Sequence, residues 1–154
     1  MIKDMQIQIL EVTQNKKQYL DLLLLADEQE SMIDKYLEDG TLYIMKKSED
    51  VIGVCVVLQV SETEIEVKNL AISEIMQGKG YGKKFLSFIE KQYRGQAEWL
   101  ILGTGDSPLT IPFYEKCGFV QYKRIKNFFL DNYDHLIIED GVTLVDMIYL
   151  RKAL

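Results

Sequence analysis

The hydrophobic period of this chain changes sharply between residues 72 and 82. Before that point, three runs have the alternation and β-branched composition of strands, at residues 41–47, 51–60 and 63–72. After it, apolar residues recur at the spacing of one helical face, at Phe85, Leu86, Phe88, Ile89 and Tyr93. We therefore predict a meander of three antiparallel strands that leads into a helix over residues 82–94.

Further strands and helices flank this centre. Strand-like runs occupy residues 6–12, 98–102, 119–126 and 144–150. Residues 15–38 have the spacing of one helix or two. A short helix from Thr110 to Cys117 is also predicted, because Pro112 is tolerated only near a helix start. The predicted order is β-α-α-β-β-β-α-β-α-β-β, which indicates a mixed α/β sheet.

Composition narrows the classes of function. The chain has 154 residues, 47% of them hydrophobic, and no repeat or linker, so one domain over residues 1–154 with a sizeable core is expected. Its 18 Lys and Arg against 24 Asp and Glu give a net charge of −6, which opposes binding to nucleic acid. The longest apolar run, residues 22–26, is far shorter than the roughly 20 residues of a membrane span. No membrane partner is expected.

The cysteines, the histidine and the chain start bear on compartment and metal content. Residues 1–6 lack the basic and then apolar pattern of a signal peptide, and Cys55 and Cys117 lack the spacing of a disulfide framework, so a cytoplasmic location is expected. His135 is the only histidine, and no metal is expected because further ligands are missing. Cys117 is predicted to be a small buried side chain rather than a nucleophile.

A glycine-rich turn lies between the third strand and the helix that follows it. Gly78, Gly80 and Gly82 fall within five residues, and Lys79 and Lys83 add local positive charge. Such a turn presents backbone N–H groups and the positive end of a helix dipole, which bind phosphate oxygens. A tight turn before an ordinary helix is the alternative. The dinucleotide fingerprint and the P-loop both fail, because Lys83 and the residue after it do not fit either spacing.

Two motifs together resemble the GNAT superfamily of acetyl-coenzyme A (acetyl-CoA) dependent N-acetyltransferases. The first is Gln-x-x-Gly-x-Gly at residues 77–82, and the second is FYEKCGF at residues 113–119, which is similar to the FYxKxGF segment of that domain. Residues 128–134 also resemble a bacterial subgroup. The resemblance covers about residues 6–150. It implies the GNAT fold, an α/β (α+β) domain with a mixed, mostly antiparallel central sheet of six to seven strands flanked by about four helices.

The resemblance implies that acetyl-CoA is a co-substrate and indicates where it would lie. Its pyrophosphate would contact the main chain of the glycine-rich turn, at Gln77, Gly78, Lys79, Gly80, Tyr81, Gly82 and Lys83. Its pantetheine arm would run along the strand at Leu70, Ala71 and Ile72, where the sheet splays open. Ser107 stands where many members hold the cofactor with an asparagine, and a serine can hydrogen-bond there too. Asp106 would repel the phosphates if it turned toward them.

The resemblance also implies catalytic roles for two residues. Tyr114 matches the tyrosine that protonates the departing thiolate in many members, and a tyrosine of the core is the alternative. Glu66, five residues before Ala71, matches the general base of some members. An exposed strand glutamate paired with Lys68 is the alternative. By strand alternation Glu64, Glu66 and Lys68 share a face unless a bulge intervenes.

These features predict an acyltransferase that moves an acetyl group from acetyl-CoA to a primary amine of a small molecule or peptide, by direct attack in a ternary complex. A non-catalytic acyl-CoA binding module with the same fold is the alternative. The regions expected to flank the acceptor are acidic, which favours a cationic acceptor, with a solvated acidic surface as the alternative. Their carboxylates are Glu28, Glu30, Asp34, Glu38, Asp39, Asp131, Asp134, Glu139 and Asp140. A homodimer is a candidate assembly, because late strands often form dimers in similar folds.

Overall fold

The computed structural model describes residues 6–154, so the first five residues of the predicted domain lie outside it. The strands are β1 (Ile7–Val12), β2 (Thr41–Lys47), β3 (Asp50–Gln59), β4 (Glu64–Ile72), β5 (Trp99–Gly105), β6 (Val120–Ile125), β7 (Ile138–Glu139), β8 (Val142–Thr143) and β9 (Met147–Ala153). The α-helices are α1 (Leu20–Ala26), α2 (Glu30–Ile33), α3 (Tyr81–Tyr93), α4 (Thr110–Lys116) and α5 (Phe128–Asn132). Two 3₁₀ turns, Lys16–Tyr19 and Glu74–Met76, precede α1 and α3. Within residues 6–154 no helix is both long and apolar enough to cross a membrane.

Seven strands form one sheet in the order β1-β2-β3-β4-β5-β9-β6, and β7 and β8 form a separate hairpin. Neighbouring strands of the sheet are antiparallel, except that β4 and β5 are parallel and pair residues 64–67 with residues 99–102. The meander of β2, β3 and β4 is the predicted one. The predicted fold class, a mixed and mostly antiparallel sheet with flanking helices, is confirmed.

The two faces of the sheet carry separate cores. On one face, α3 and α4 pack on a cluster that includes Phe85, Leu86, Ile89, Leu100, Leu102, Ile111 and Leu150. On the other face, α1, α2 and the turn after them pack on the meander, with Leu23, Ile33, Leu37, Leu42, Val54 and Val56. Helix α3 buries Phe85, Leu86 and Ile89 of the apolar side predicted from its spacing, and helices cover both faces of the sheet near its centre.

A β-bulge interrupts β4. The register with β3 pairs Val57 with Val67 but Val56 with Asn69, so Lys68 is an extra residue. Val67 packs in the cluster under α3, whereas Asn69, two residues later, hydrogen-bonds to Leu23 and lies on the face covered by α1. The bulge therefore reverses the alternation that the sequence predicts for the second half of this strand.

The end of the chain differs from the predicted order, which lacked α5 and the β7–β8 hairpin. The last strand was predicted at residues 144–150, and it lies at Met147–Ala153. Leu144 instead packs with Phe129 and Ile137 in a small third cluster, and its N–H donates to Ile137 O at 2.8 Å. A helix of five residues is too short to form by local propensity, so α5 depends on the burial of Phe129.

A buried lysine holds the end of the first helical region. Residues 15–38 form the 3₁₀ turn, α1, α2 and further turns rather than one long helix. The Nζ of Lys16 donates to the carbonyl oxygens of Leu37 at 3.0 Å, Glu38 at 3.2 Å and Gly40 at 2.8 Å. Carbonyl groups at the end of a helical segment lack partners within it, and a cation also complements their partial negative charge. Lys16 is only 8% exposed, because its ammonium group is satisfied inside the fold.

Lys16→Met should lower the free energy of unfolding by about 3 kcal/mol, because three carbonyl groups lose a charged donor while the apolar stem is kept. Urea denaturation measures the change. Lys17→Met is the matched control, since Lys17 forms only exposed ion pairs with Glu30 and Asp34 and its loss should cost less. Equal losses in the two variants would contradict the capping role of Lys16.

Candidate active site

A cavity of about 1040 Å³ lies where β4 and β5 separate. Their parallel pairing ends at Val67 and Leu102, and beyond that point the two strands form opposite walls of the cavity. This volume is at the upper end of the range for small-molecule sites, roughly 300–1,000 Å³. The opening in the sheet therefore provides a site for a ligand the size of a coenzyme together with a second molecule.

The second half of β4 has one edge available to a ligand. Leu70, Ala71 and Ile72 pair with β3 on one side and lie in the cavity wall, beyond the last residue that pairs with β5. An extended group can add to such an edge as a further strand does, through main-chain hydrogen bonds. These are the three residues predicted to lie along the pantetheine arm.

The glycines of the turn before α3 have two different roles. Gly78 and Gly80 have φ of +75° and +88°, and a Cβ atom at either position would meet no atom within 4 Å. Gly80 is also the N-cap of α3, which has no side-chain cap, so the first N–H groups of the helix are left for another partner. Gly82 instead allows close packing, because its Cβ would lie 3.1 Å from the Phe113 ring.

The other predicted residues of this turn are spread over several environments. Gln77 lies in the cavity wall, and its Nε2 donates to Ile72 O at 2.9 Å, which ties the turn to the end of β4. Lys83 and the buried Tyr81 also line the cavity. Lys79 is exposed and lies outside the lining residues.

Tyr114 lies in the cavity wall on α4. Its ring packs edge-on against Phe113 and Phe119, with centroid distances of 5.0 and 5.9 Å. Its hydroxyl forms no hydrogen bond with any other residue that the structure describes. Burial raises the pKa of the Tyr114 phenol above its usual value, so the hydroxyl keeps its proton at neutral pH and remains a donor.

Glu66 is buried, with 7% of its surface exposed, beside the cavity rather than in its wall. Its Oε2 accepts a hydrogen bond from the Tyr149 hydroxyl at 3.3 Å and lies 3.3 Å from Lys68 Nζ. Lys68, the bulge residue, does line the cavity. The structure thus separates the two predicted catalytic residues: Tyr114 faces the cavity, and Glu66 is one residue removed from it.

Ser107 caps the turn before α4. It is 2% exposed, its Oγ accepts the N–H of Leu109 at 3.1 Å, and it is not among the residues that line the cavity. Its predicted contact with the cofactor stays a prediction. Asp106 pairs with Arg124 at 3.2 Å, so its carboxylate is partly neutralised by a neighbouring cation.

The part of the cavity wall on the sheet face covered by α1, opposite the face that carries α3 and the glycine-rich turn, is acidic, and we call it the acidic end. It is lined by Leu25, Ala26, Asp27, Glu28, Phe129, Tyr133, Ile137, Glu139 and Leu144. Asp27 accepts hydrogen bonds from the hydroxyls of Tyr133 at 2.7 Å and Tyr36 at 3.0 Å. Burial raises the pKa of the Asp27 carboxyl, although these bonds and the Gln29 N–H act in the opposite direction.

Sequence reasoning did not single out Asp27, Asn69 or Tyr133. Asp27 follows an apolar helix and gives no periodic signal, and Tyr133 reaches it across 106 positions of sequence. Asn69 could have been noticed as a polar residue in an otherwise apolar strand end, Leu70-Ala71-Ile72. It is 3% exposed, its Nδ2 donates to Leu23 O and to the Tyr36 hydroxyl, and its Oδ1 has no partner among the described residues.

Cys117 and His135, the other residues considered for catalysis or metal binding, have structural surroundings that favour neither role. Cys117 is buried, as predicted, and burial raises the pKa of its thiol, so the reactive thiolate is disfavoured. His135 is exposed in a loop, beside Asp134 at 2.6 Å and Glu28 at 3.2 Å. Among residues 6–154 no group of three His, Cys, Asp or Glu side chains is arranged to hold a metal ion.

The chain is similar in sequence to known acetyltransferases. The domain model of the acetyltransferase (GNAT) family matches residues 38–121. An uncharacterized N-acetyltransferase of Bacillus subtilis strain 168, YvbK, is 39% identical over 132 residues, which cover 84% of this chain and 85% of that protein.

Solved structures give the same result for the whole fold. A GNAT acetyltransferase from Elizabethkingia anophelis with acetyl-CoA bound has a TM-score of 0.92 at 36% identity, over 97% of this chain and 99% of the other. An acetyltransferase from Bacillus subtilis in complex with CoA has a TM-score of 0.87 at 35% identity, over 96% and 99%. An IAA acetyltransferase from Bacillus cereus ATCC 14579 has a TM-score of 0.88 at 36% identity, over 96% and 99%.

The family model spans more than half of the chain, and the relatives cover almost all of it. Two of them were solved with acetyl-CoA or CoA bound, and their TM-scores of 0.92 and 0.87 show that they share the fold of this chain. The protein therefore belongs to the GNAT family of acetyltransferases, and acetyl-CoA is its co-substrate.

Proposed function

We propose that this enzyme transfers the acetyl group of acetyl-CoA to a primary amine of a small molecule or peptide by direct attack in a ternary complex. The observation that carries the proposal is the continuity of one cavity from the glycine-rich turn to the acidic end, with Tyr114 in its wall. Two substrates that bind from opposite ends can meet beside that hydroxyl. The single domain, the cytoplasmic location and the homodimer stay predictions.

For the cofactor, we propose that the pyrophosphate binds the turn at residues 77–83 and that the pantetheine arm lies along Leu70, Ala71 and Ile72. The uncapped start of α3 and the open space above Gly78 and Gly80 support the first contact. The available edge of β4 supports the second. The exposed Lys79 is expected to contribute positive charge near the pyrophosphate rather than a fixed contact. Ser107 is expected to act indirectly, because its Oγ accepts the Leu109 N–H and holds the turn before α4.

In the proposed reaction the amine nitrogen attacks the carbonyl carbon of the thioester. A C–N bond forms, and the C–S bond breaks with its electron pair left on sulfur. Tyr114 gives its hydroxyl proton to that sulfur, a role supported by its place in the cavity wall and by a hydroxyl that has no hydrogen-bond partner among residues 6–154. Before the attack, Glu66 receives one proton of the bound ammonium group through water, which frees the nitrogen lone pair; the carboxylate lies behind Lys68 rather than in the wall, so a water is needed. The proton that the nitrogen loses after the C–N bond forms restores the Tyr114 hydroxyl.

For the acceptor, we propose a cationic amine. Of the carboxylates predicted to attract it, Glu28 and Glu139 line the acidic end of the cavity. Glu30 and Asp34 pair with Lys17 on the surface and fit a solvated acidic surface instead. The local charge of the cavity thus supports the proposal better than the overall net charge does.

Thiol release from acetyl-CoA with a panel of amines tests the proposal and the non-catalytic alternative together. Release of CoA with an alkylamine, together with the acetylated amine in the mass spectrum, is the expected result. Binding of acetyl-CoA without turnover of any amine would favour the non-catalytic binding module. Rates that favour neutral or acidic amines would refute the cationic acceptor.

Tyr114→Phe should lower kcat about 100-fold or more and leave the Kd of acetyl-CoA nearly unchanged, because only the proton donor is lost. Steady-state kinetics and calorimetric titration measure the two quantities. Tyr19→Phe is the control, since Tyr19 packs on the opposite face of the sheet and should retain full activity. Unchanged turnover in Tyr114→Phe would overturn the assignment.

Glu66→Gln should remove the acidic limb of the pH profile of kcat, because the amide cannot receive a proton. The profile is measured with a saturating amine between about pH 5 and 9. Glu64→Gln on the same strand is the comparison and should keep the limb. A profile of Glu66→Gln with the limb intact would exclude Glu66 as the base.

Gly80→Ala should raise the Kd of CoA about tenfold or more, because a methyl group and a strained φ alter the turn where the pyrophosphate is proposed to bind. Gly95→Ala is a closely matched control: Gly95 has φ of +90°, also with no atom within 4 Å of its Cβ, at the other end of α3. Both variants should lose similar stability. If both, or neither, weaken CoA binding, the turn is not the pyrophosphate site.

A further inference from the structure

The acidic end of the cavity is held together by contacts between two segments that are distant in sequence. The hydroxyl of Tyr133 donates to Asp27, and the backbone N–H of Asp134 donates to Gln29 Oε1 at 2.9 Å. One position further along, His135 Nε2 lies 3.2 Å from Glu28 Oε1. Asp27 is therefore held in place within the wall.

The Asp27 carboxylate has no cationic partner in the part of the chain that the structure describes. Its two oxygens each accept one bond from a neutral phenol, Tyr36 or Tyr133. The neighbouring charged side chain that acts on it electrostatically is another carboxylate, Glu28. Lys68 also lines the cavity, but its ammonium group is paired with Glu66. A half-buried carboxylate without a counter-charge is costly, and a bound cation relieves that cost.

Asn69 supplies a second, independent observation. It lines the same cavity and is 3% exposed, yet its Oδ1 has no hydrogen-bond partner among residues 6–154. Its Nδ2 donates to the Tyr36 hydroxyl, which in turn donates to Asp27. A buried acceptor without a donor costs about 1–3 kcal/mol. Asp27 and Asn69 are thus linked through Tyr36: Asn69 Oδ1 lacks a donor, Asp27 lacks a cationic partner, and a ligand with an ammonium group can supply both.

We propose that Asp27 binds the ammonium group of the acceptor, with Asn69 Oδ1 as a further N–H acceptor, and so selects cationic amines. This assignment rests on the proposed acetyl transfer to an amine. Before transfer, the ammonium group pairs with the carboxylate of Asp27, whose position is set by Tyr36 and Tyr133. Asp27 therefore determines acceptor affinity, whereas Tyr114 acts on the thioester.

The apolar part of the acidic end defines the rest of the acceptor. Phe129, Ile137 and Leu144 are buried together and line the cavity next to Tyr133, whose ring stacks on Phe129 at 5.5 Å. A carbon chain or ring attached to the ammonium group can pack against these side chains. The chemical class is a primary ammonium carried by an apolar alkyl or arylalkyl group.

Phenethylamine and hexylamine are suitable probes, because both are ammonium ions at neutral pH. Asp27→Asn should raise the KM of both amines about tenfold or more, with the KM of acetyl-CoA unchanged. Asp27→Glu, which keeps the charge, should recover part of the affinity. Asp21→Asn is the control: it removes an equal charge from α1, six residues before Asp27, at an exposed site outside the cavity. It should change neither KM.

Binding of the same amines to the CoA-loaded protein, measured by calorimetry, separates this inference from the proposed reaction. Binding that is lost in Asp27→Asn supports the site even if no acetyl product forms, in which case the proposed reaction fails alone. Turnover in which Asp27→Asn behaves as Asp21→Asn overturns the site and leaves the reaction standing. A loss of kcat at unchanged KM also overturns it, because Asp27 would then act on the proton. Failure of both amines to bind the wild-type protein overturns the assignment outright.

Discussion

The separation of β4 from β5 is the constraint on which the rest of the molecule depends. The two strands pair for four residues and then diverge at Val67 and Leu102, which leaves main-chain groups on β4 without a neighbouring strand. A sheet cannot bury such an edge without cost, so the opening must be filled by solvent or by a ligand that can hydrogen-bond to it. The acetyl-CoA-bound relative from Elizabethkingia anophelis has the same fold at a TM-score of 0.92. The cavity is thus part of the architecture, and α3, α4 and the segments of the acidic end supply its remaining walls.

Polar chemistry in this cavity depends on the bulge at Lys68. By adding one residue, the bulge turns Asn69 toward α1, where it contacts Leu23 O and the Tyr36 hydroxyl. Leu70 and Ile72 consequently pack with the cluster beneath α3. A single irregularity in one strand therefore connects the edge proposed for the cofactor to the carboxylate proposed for the acceptor. The electrostatic division of the cavity follows: N–H groups and Lys83 at the glycine-rich turn, and Asp27, Glu28 and Glu139 at the acidic end.

Much of the fold could be predicted because it is encoded locally. The alternation of β2 and β3, the apolar face of α3 and the glycines of the turn are properties of neighbouring residues, and the motifs at residues 77–82 and 113–119 identified the family before any geometry was known. The end of the chain could not be predicted in the same way. The α5 helix has five residues and forms where Phe129 packs on Ile137 and Leu144. Leu144 therefore lies in this cluster and not in the last strand, where its hydrophobicity predicts it.

The sequence by itself determined the fold class, because alternation and helical spacing are properties of neighbouring residues. Through the resemblance of two short motifs, it also indicated the family and its co-substrate. Only the tertiary structure decided which residues meet in the cavity. In the folded chain the Tyr133 hydroxyl donates to Asp27 across 106 positions of sequence. Glu66 pairs with Lys68 behind the cavity wall, and Ser107 hydrogen-bonds within its own turn. The physical reason is that register shifts, buried hydrogen bonds and the loss of strand pairing are relations between distant segments, and no local period records them.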